Sequence, residues 1–182
     1  MGLDCDGGAP MIVRPARRDD LSRVAEIYAH YVLHSAVTFD LEAPSAADWA
    51  DKLDVVGERR LPFVVAAAAD RVTGFAYAAP WRTKPAYRHS AEVSVYLQPD
   101  ATGRGVGTRL LAAVIEAARH SDVHLLIAVI ADTGAPAASL GLHRSAGFIE
   151  AGRLHEVGFK HGTWWDTILL EHSLAGSDAR PA

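Results

Sequence analysis

Residues 102–108, Thr-Gly-Arg-Gly-Val-Gly-Thr, join a stretch that alternates like a strand to one that repeats like a helix. Upstream, Ser90–Gln98 has a period of two, placing Glu92, Ser94 and Tyr96 on one face and Val93, Val95 and Leu97 on the other. Downstream, a helix is predicted from about Val106 to His120, followed by an almost wholly apolar run, His124–Ile130, of the kind buried on both faces of a sheet. Strand, glycine turn, helix and strand in this order predict an α/β domain. Glycines at alternate positions let backbone approach a ligand closely, and the helix that follows offers unpaired N–H groups to an anion. The combination suits a pyrophosphate better than its alternative, a plain strand-to-helix turn. It is not a P-loop, because no G-x-x-x-x-G-K-[ST] occurs. Read as G-x-G-x-x-G from Gly103, it has Thr108 where the third glycine belongs, and several strands precede it, which sets aside a dinucleotide-dependent oxidoreductase.

The rest of the chain surrounds this unit with one domain, expected over residues 11–174, between tails at 1–10 and 175–182 that lack any period. Ile12–Arg14 reads as a strand. A helix follows, capped by Asp19 or Asp20, with Leu21, Val24, Tyr28, Tyr31 and Val32 on one face. Ser45 and Asp48 resemble a capping box ahead of a second helix carrying Trp49, Leu53 and Val56. Phe63–Ala69 and Val72–Trp81 read as strands joined at Asp70-Arg71; a short helix ends near Gly147, and Phe148–Leu174 reads as strand, turn, strand. The 18 Lys and Arg against 22 Asp and Glu leave a net charge of −4, without the basic stripe of a nucleic-acid binder. No apolar run approaches the roughly 20 residues of a membrane helix, and no signal-peptide pattern opens the chain. Cys5 is the only cysteine, so no disulfide forms within the chain and a cytoplasmic location is expected.

Several side chains invite chemistry. Glu92, on the polar face of its strand, could take a proton from an amine, or could be a solvated strand glutamate. Arg82 and Lys84, two residues apart in Trp81–Tyr87, would point the same way in an extended segment and could grip a carboxylate, or form an ordinary charged loop. His30 and His34 have metal-binding spacing but no third ligand, so no metal is expected. Trp164 and Trp165 suit core or dimer packing better than ligand stacking.

Together these segments resemble the GNAT acyltransferase superfamily, whose acyl-CoA loop Q/R-x-x-G-x-G/A is matched by Thr102–Gly107 except at its first position. The resemblance narrows to the phosphinothricin and methionine sulfoximine/sulfone N-acetyltransferases. It is carried by Ile12–Ala16, Ser35–Phe39, Ala78–Arg82, Ala86-Tyr87, Glu92–Tyr96, Leu142-His143 with Gly147-Phe148, and Gly158–Gly162. It implies a GNAT fold, a mixed and mostly antiparallel sheet flanked by helices, with acetyl-CoA as co-substrate. It implies that Glu92 is the general base and that the backbone of Val95, Tyr96 and Leu97 pairs with the pantetheine arm and polarises the thioester. Gly103, Arg104, Gly105, Val106, Gly107 and Thr108 would hold the pyrophosphate, and Phe39, Arg82, Lys84 and Tyr87 would line the amino-acid pocket. His143 stands where many members carry a tyrosine that protonates the leaving thiolate, so it is either an acid or a packing histidine.

Two departures stand out. Thr102 replaces the usual Gln or Arg, and Pro136 replaces an Asn in a stretch, Asp132–Ala138, about two residues longer than usual; the pantetheine contact of that Asn is not transferred. The implied reaction is direct acetyl transfer to the α-amine of a small amino acid or analogue, without a covalent enzyme intermediate. The partner is a small amine carrying a carboxylate, neither nucleic acid nor membrane, and the resemblance implies a homodimer. The alternatives are another acceptor, such as an aminoglycoside or a protein N-terminus, and a non-catalytic acyl-CoA-binding module.

Overall fold

The computed structural model describes residues 10–69, 71–134 and 136–174. Of the tails expected at 1–10 and 175–182, residues 1–9, Cys5 among them, and 175–182 lie outside the described residues, as does Asp70 of the expected Asp70-Arg71 turn. The described elements run β1 (Ile12–Pro15), α1 (Leu21–His34), α2 (Ala46–Glu58), β2 (Phe63–Ala68), β3 (Arg71–Pro80), β4 (Ser90–Leu97), α3 (Val106–Ala118), β5 (Leu125–Asp132), α4 (Ala137–Ser145), β6 (Ile149–Lys160) and β7 (Thr163–Ser173). They build one seven-stranded sheet in the order β1-β2-β3-β4-β5-β7-β6. Every pairing is antiparallel except β4 with β5. The expected α/β architecture with a mixed, mostly antiparallel sheet is the one observed.

The alternation of each strand distributes its side chains between two cores. On one face α3 packs Leu110, Leu111 and Val114 against Leu126, Ala128, Ile168 and Leu170. On the other, α1 and α2 cover Val65, Phe75 and Tyr77. Trp49 centres that second core, its ring 5.2–6.0 Å from those of Tyr28, Phe63, Phe75 and Tyr77. The Ser45 hydroxyl and the Asp48 carboxylate cap α2 reciprocally, as the sequence suggested. Gly147, in the left-handed region at φ 87°, ends α4 as expected.

Two expectations change. Asp20 precedes α1 but makes no side-chain cap. Its carboxylate instead receives both ends of the Arg14 guanidinium, at 2.7 and 2.8 Å, and the Arg17 N–H at 2.7 Å. A bidentate cation outcompetes a single backbone donor. The second change concerns β5, which is not buried on both faces. Leu126, Ala128 and Ile130 are buried, whereas Leu125, Ile127 and Val129 are only half-buried, because α1 and α2 lie over β3 and β4 and leave that face open.

The Arg14 bonds hold the Asp20 carboxyl below the usual carboxylate range, against the effect of its burial. Its contribution to stability is therefore complete above the unfolded-state pKa and is lost as pH falls through the lower folded-state value. Asp20→Asn should cost about 3 kcal/mol near neutral pH in urea unfolding, and the variant should lose less stability than the wild type on acidification. Parallel acid limbs for the two proteins would contradict this role.

Candidate active site

β4 and β5 pair only at Ser90↔Leu125, Ala91↔Leu126 and Glu92↔Ile127. β4 continues beside β3 as far as Leu97, and β5 beside β7 as far as Asp132. The two halves of the sheet therefore part after Glu92 and open a cleft of about 880 Å³. The hydrogen bonds Trp81 N–H to Ser90 O (3.2 Å) and Gln98 N–H to Thr73 O (2.8 Å) fix which backbone groups face the opening. Between those ends the β3–β4 register is unbroken. Ser90, Glu92, Ser94, Tyr96 and Gln98 thus direct N–H and C=O toward β3, and Val93, Val95 and Leu97 direct theirs into the gap. Of the expected Val95–Leu97 donors, Val95 and Leu97 fit; the Tyr96 N–H faces β3. The Tyr96 ring joins the second core instead, 4.8 Å from Tyr28 and 5.4 Å from Phe75.

The glycine loop stands at the end of β4. Gly103 (φ 72°) and Gly105 (φ 75°) are in the left-handed region, which side chains rarely adopt, and a Cβ on either would face open space. A Cβ on Gly107 would come within 3.3 Å of Leu142, so that glycine lets α3 approach α4. Thr102, Gly103, Gly105, Gly107 and Thr108 line the cleft. Arg104 is exposed outside the lining, and Val106 is buried in the α3 core. The Thr102 hydroxyl bonds back to Pro99 O at 2.8 Å, so the donors here are backbone N–H groups of the loop and the first turn of α3.

Glu92 lines the cleft from the α1–α2 side, half-buried. Burial pushes its pKa up, and the Lys52 ammonium pulls it the other way. Lys52 Nζ is 3.3 Å from the Tyr77 hydroxyl and 4.8 Å from the Trp49 and Tyr77 ring centroids. Thr38, Phe39 and Asp40 close this side. The Tyr28 hydroxyl donates to Asp40 at 2.7 Å, which leaves Thr38 as the donor in the 2.6 Å contact between the two hydroxyls. The β6–β7 hairpin holds this segment: Lys160 Nζ donates to Thr38 O at 2.8 Å, and the Phe39 ring lies where a Cβ on Gly158 would be.

His143 is buried in the wall of the cleft. Its Nδ1 is 2.9 Å from Ser139 O and must donate, because a carbonyl only accepts. Burial lowers its pKa despite that bond. Burial thus favours the neutral ring, whose Nε2 is then unprotonated and an acceptor, an arrangement that speaks for the packing role over the acid that the resemblance allowed. Arg82, Lys84 and Tyr87 are not brought into the lining. They sit exposed on the turn between β3 and β4, where the Arg82 guanidinium is 5.3 Å from the Trp81 ring and 5.8 Å from that of Tyr87. His30 and His34 stand side by side on α1, and among the described residues no three metal-ligating side chains cluster.

Residues 13–169 match the model of the acetyltransferase (GNAT) domain family. The chain belongs to the GNAT acetyltransferases. It is 40% identical to phosphinothricin N-acetyltransferase of Alcaligenes faecalis, over 91% of this chain and 84% of that protein. It is 32% identical to the L-methionine sulfoximine/L-methionine sulfone acetyltransferase of Salmonella typhimurium, over 90% and 95% of the two chains. The crystal structure of a GNAT superfamily phosphinothricin acetyltransferase from Sinorhizobium meliloti in complex with AcCoA superposes with a TM-score of 0.87 at 36% identity, covering 94% of this chain and 93% of that one.

Lys52, Tyr77, Tyr28 and Asp40 escape a sequence reading of this acetyltransferase. A lysine one turn beyond a core tryptophan reads as a solvated face, and a tyrosine in an apolar strand reads as core. With an unprotonated Nε2, His143→Asn should lower kcat by less than about tenfold, where loss of a general acid costs about 10²–10⁴. A loss in the larger range would restore the acid role.

Proposed function

We propose that this enzyme moves the acetyl group of acetyl-CoA to the α-amine of a small amino acid or analogue of the phosphinothricin, methionine sulfoximine or methionine sulfone type. The observation that carries this reading is a desolvated carboxylate, Glu92, standing where β4 and β5 part. The residues present suit the donor. Gly103–Thr108 offer backbone N–H groups and open left-handed glycines to a pyrophosphate, and the gap beyond Glu92 has unpaired strand groups for a pantetheine arm. Bound there, acetyl-CoA supplies a thioester carbonyl open to attack by an amine.

The chain does the rest. An amino acid arrives as an ammonium ion with no lone pair, and Glu92, its basicity raised by burial, takes the proton. The N–H groups of Val95 and Leu97 face the gap and are placed to hold negative charge as it develops on the carbonyl oxygen. Phe39 packs against the acceptor's side chain. Arg82, Lys84 and Tyr87, on the turn that leaves the sheet one register position from Glu92, would meet the acceptor from outside the cleft. Phe159 and Trp164, both more than half exposed with rings 5.0 Å apart, give β6 and β7 an apolar face for a homodimer. We place the enzyme in the cytoplasm, where its acetyl donor is made.

Thiol release from acetyl-CoA with phosphinothricin, methionine sulfoximine and methionine sulfone tests this. One of them should give rapid turnover, with kcat/KM rising with pH as Glu92 ionises, above the ordinary carboxylate range. Glu92→Gln should lose about 10²–10⁴ of the rate and that pH limb. Silence on all three, with acetyl-CoA still bound, would move the acceptor to another amine or the protein to a binding role.

A further inference from the structure

We infer that Lys52 is the specificity residue that binds the acceptor's carboxylate inside the cleft, an inference that rests on the amino-acid reading above. Among the described residues lining the cleft, Lys52 is the one Lys or Arg. Its ammonium is held from below by two rings, each 4.8 Å away, and touches one polar atom, the Tyr77 hydroxyl at 3.3 Å. No ion pair within 4.0 Å forms on it among the described residues. An ammonium has three donors, so the site is a half-buried cation still able to accept an anion. Tyr77 pairs with Ser94 and Ala79 with Glu92 across β3–β4, so the Tyr77 ring under Lys52 and the proposed base lie two register positions apart on one face.

An α-amino acid carries its ammonium and carboxylate on the same carbon. A receptor for it needs an anion and a cation within reach of one another, and Glu92 and Lys52 both line the cleft with Lys52 near enough to influence the Glu92 carboxyl. The same arrangement links binding to basicity. Burial raises the Glu92 pKa and Lys52 opposes that rise in the free enzyme; a carboxylate on Lys52 offsets its charge, so Glu92 becomes the stronger base once the correct acceptor is seated. An amine without a carboxylate would not bring about that change.

The test compares an accepted amino acid with its methyl ester, in wild type and in Lys52→Met, Lys52→Arg and Arg82→Ala, with folding checked by thermal melting. Lys52→Met should lower the acid-over-ester ratio of kcat/KM by about tenfold or more, chiefly through KM. Lys52→Arg, which keeps the charge, should retain most of the ratio, and Arg82→Ala should change it less than Lys52→Met does. An unchanged ratio in Lys52→Met, or equal losses in Met and Arg variants, overturns the assignment and leaves the amino-acid reading intact. A wild type that acetylates only amines without a carboxylate overturns both.

Discussion

The parting of β4 from β5 is the constraint on which the rest of this structure depends. A strand in mid-sheet normally satisfies its backbone on both sides, and an unpaired buried N–H or C=O is costly. Here β4 has β3 along its whole length but β5 for three residues only. The groups of Val95 and Leu97 are left facing a cleft, and the Leu97 carbonyl is taken by the Tyr31 hydroxyl at 2.5 Å. What remains is a row of N–H donors at fixed positions. Because α3 begins just past the end of β4, the glycine loop and the helix N-terminus stand at one end of that row and Glu92 at the other.

Charge on the acceptor side follows from the same architecture. Glu92 is desolvated because α1, α2 and the 35–40 segment cover its face, and desolvation disfavours the ionised form. Lys52 sits close enough to counter that effect without capturing the carboxylate in an ion pair. The segment bearing Thr38, Phe39 and Asp40 is held from the distant β6–β7 hairpin, through Lys160 and the bare face of Gly158. The proposed acceptor site is thus built from residues far apart in the chain, whereas the proposed donor-site residues Glu92–Thr108 come from one continuous stretch.

That difference explains what could be read in advance. The donor stretch shows itself locally: alternation marks β4, glycines mark the turn, and an apolar period marks α3. The two helices, the meander and the closing hairpin are legible for the same reason, since each carries its own period or cap. The role of Asp20 was not, because Arg14, six residues away, competes for its carboxylate only once β1 and α1 pack. Nor was the half-exposure of β5, whose composition is that of a fully buried strand and whose open face depends on where α1 and α2 lie. Lys52 and Tyr77 come together across 25 residues of sequence, with nothing in either neighbourhood to mark them. Arg82 and Lys84, conspicuous in sequence, stand outside the cleft.

The most direct measurement is a crystal structure of this enzyme with acetyl-CoA. The pyrophosphate should lie on the backbone of Gly103–Thr108 and the pantetheine arm between β4 and β5. The thioester oxygen should be about 2.7–3.1 Å from the N–H nitrogen of Val95 or Leu97. A ligand bound outside that gap, or strands that close and pair beyond Glu92, would contradict the account.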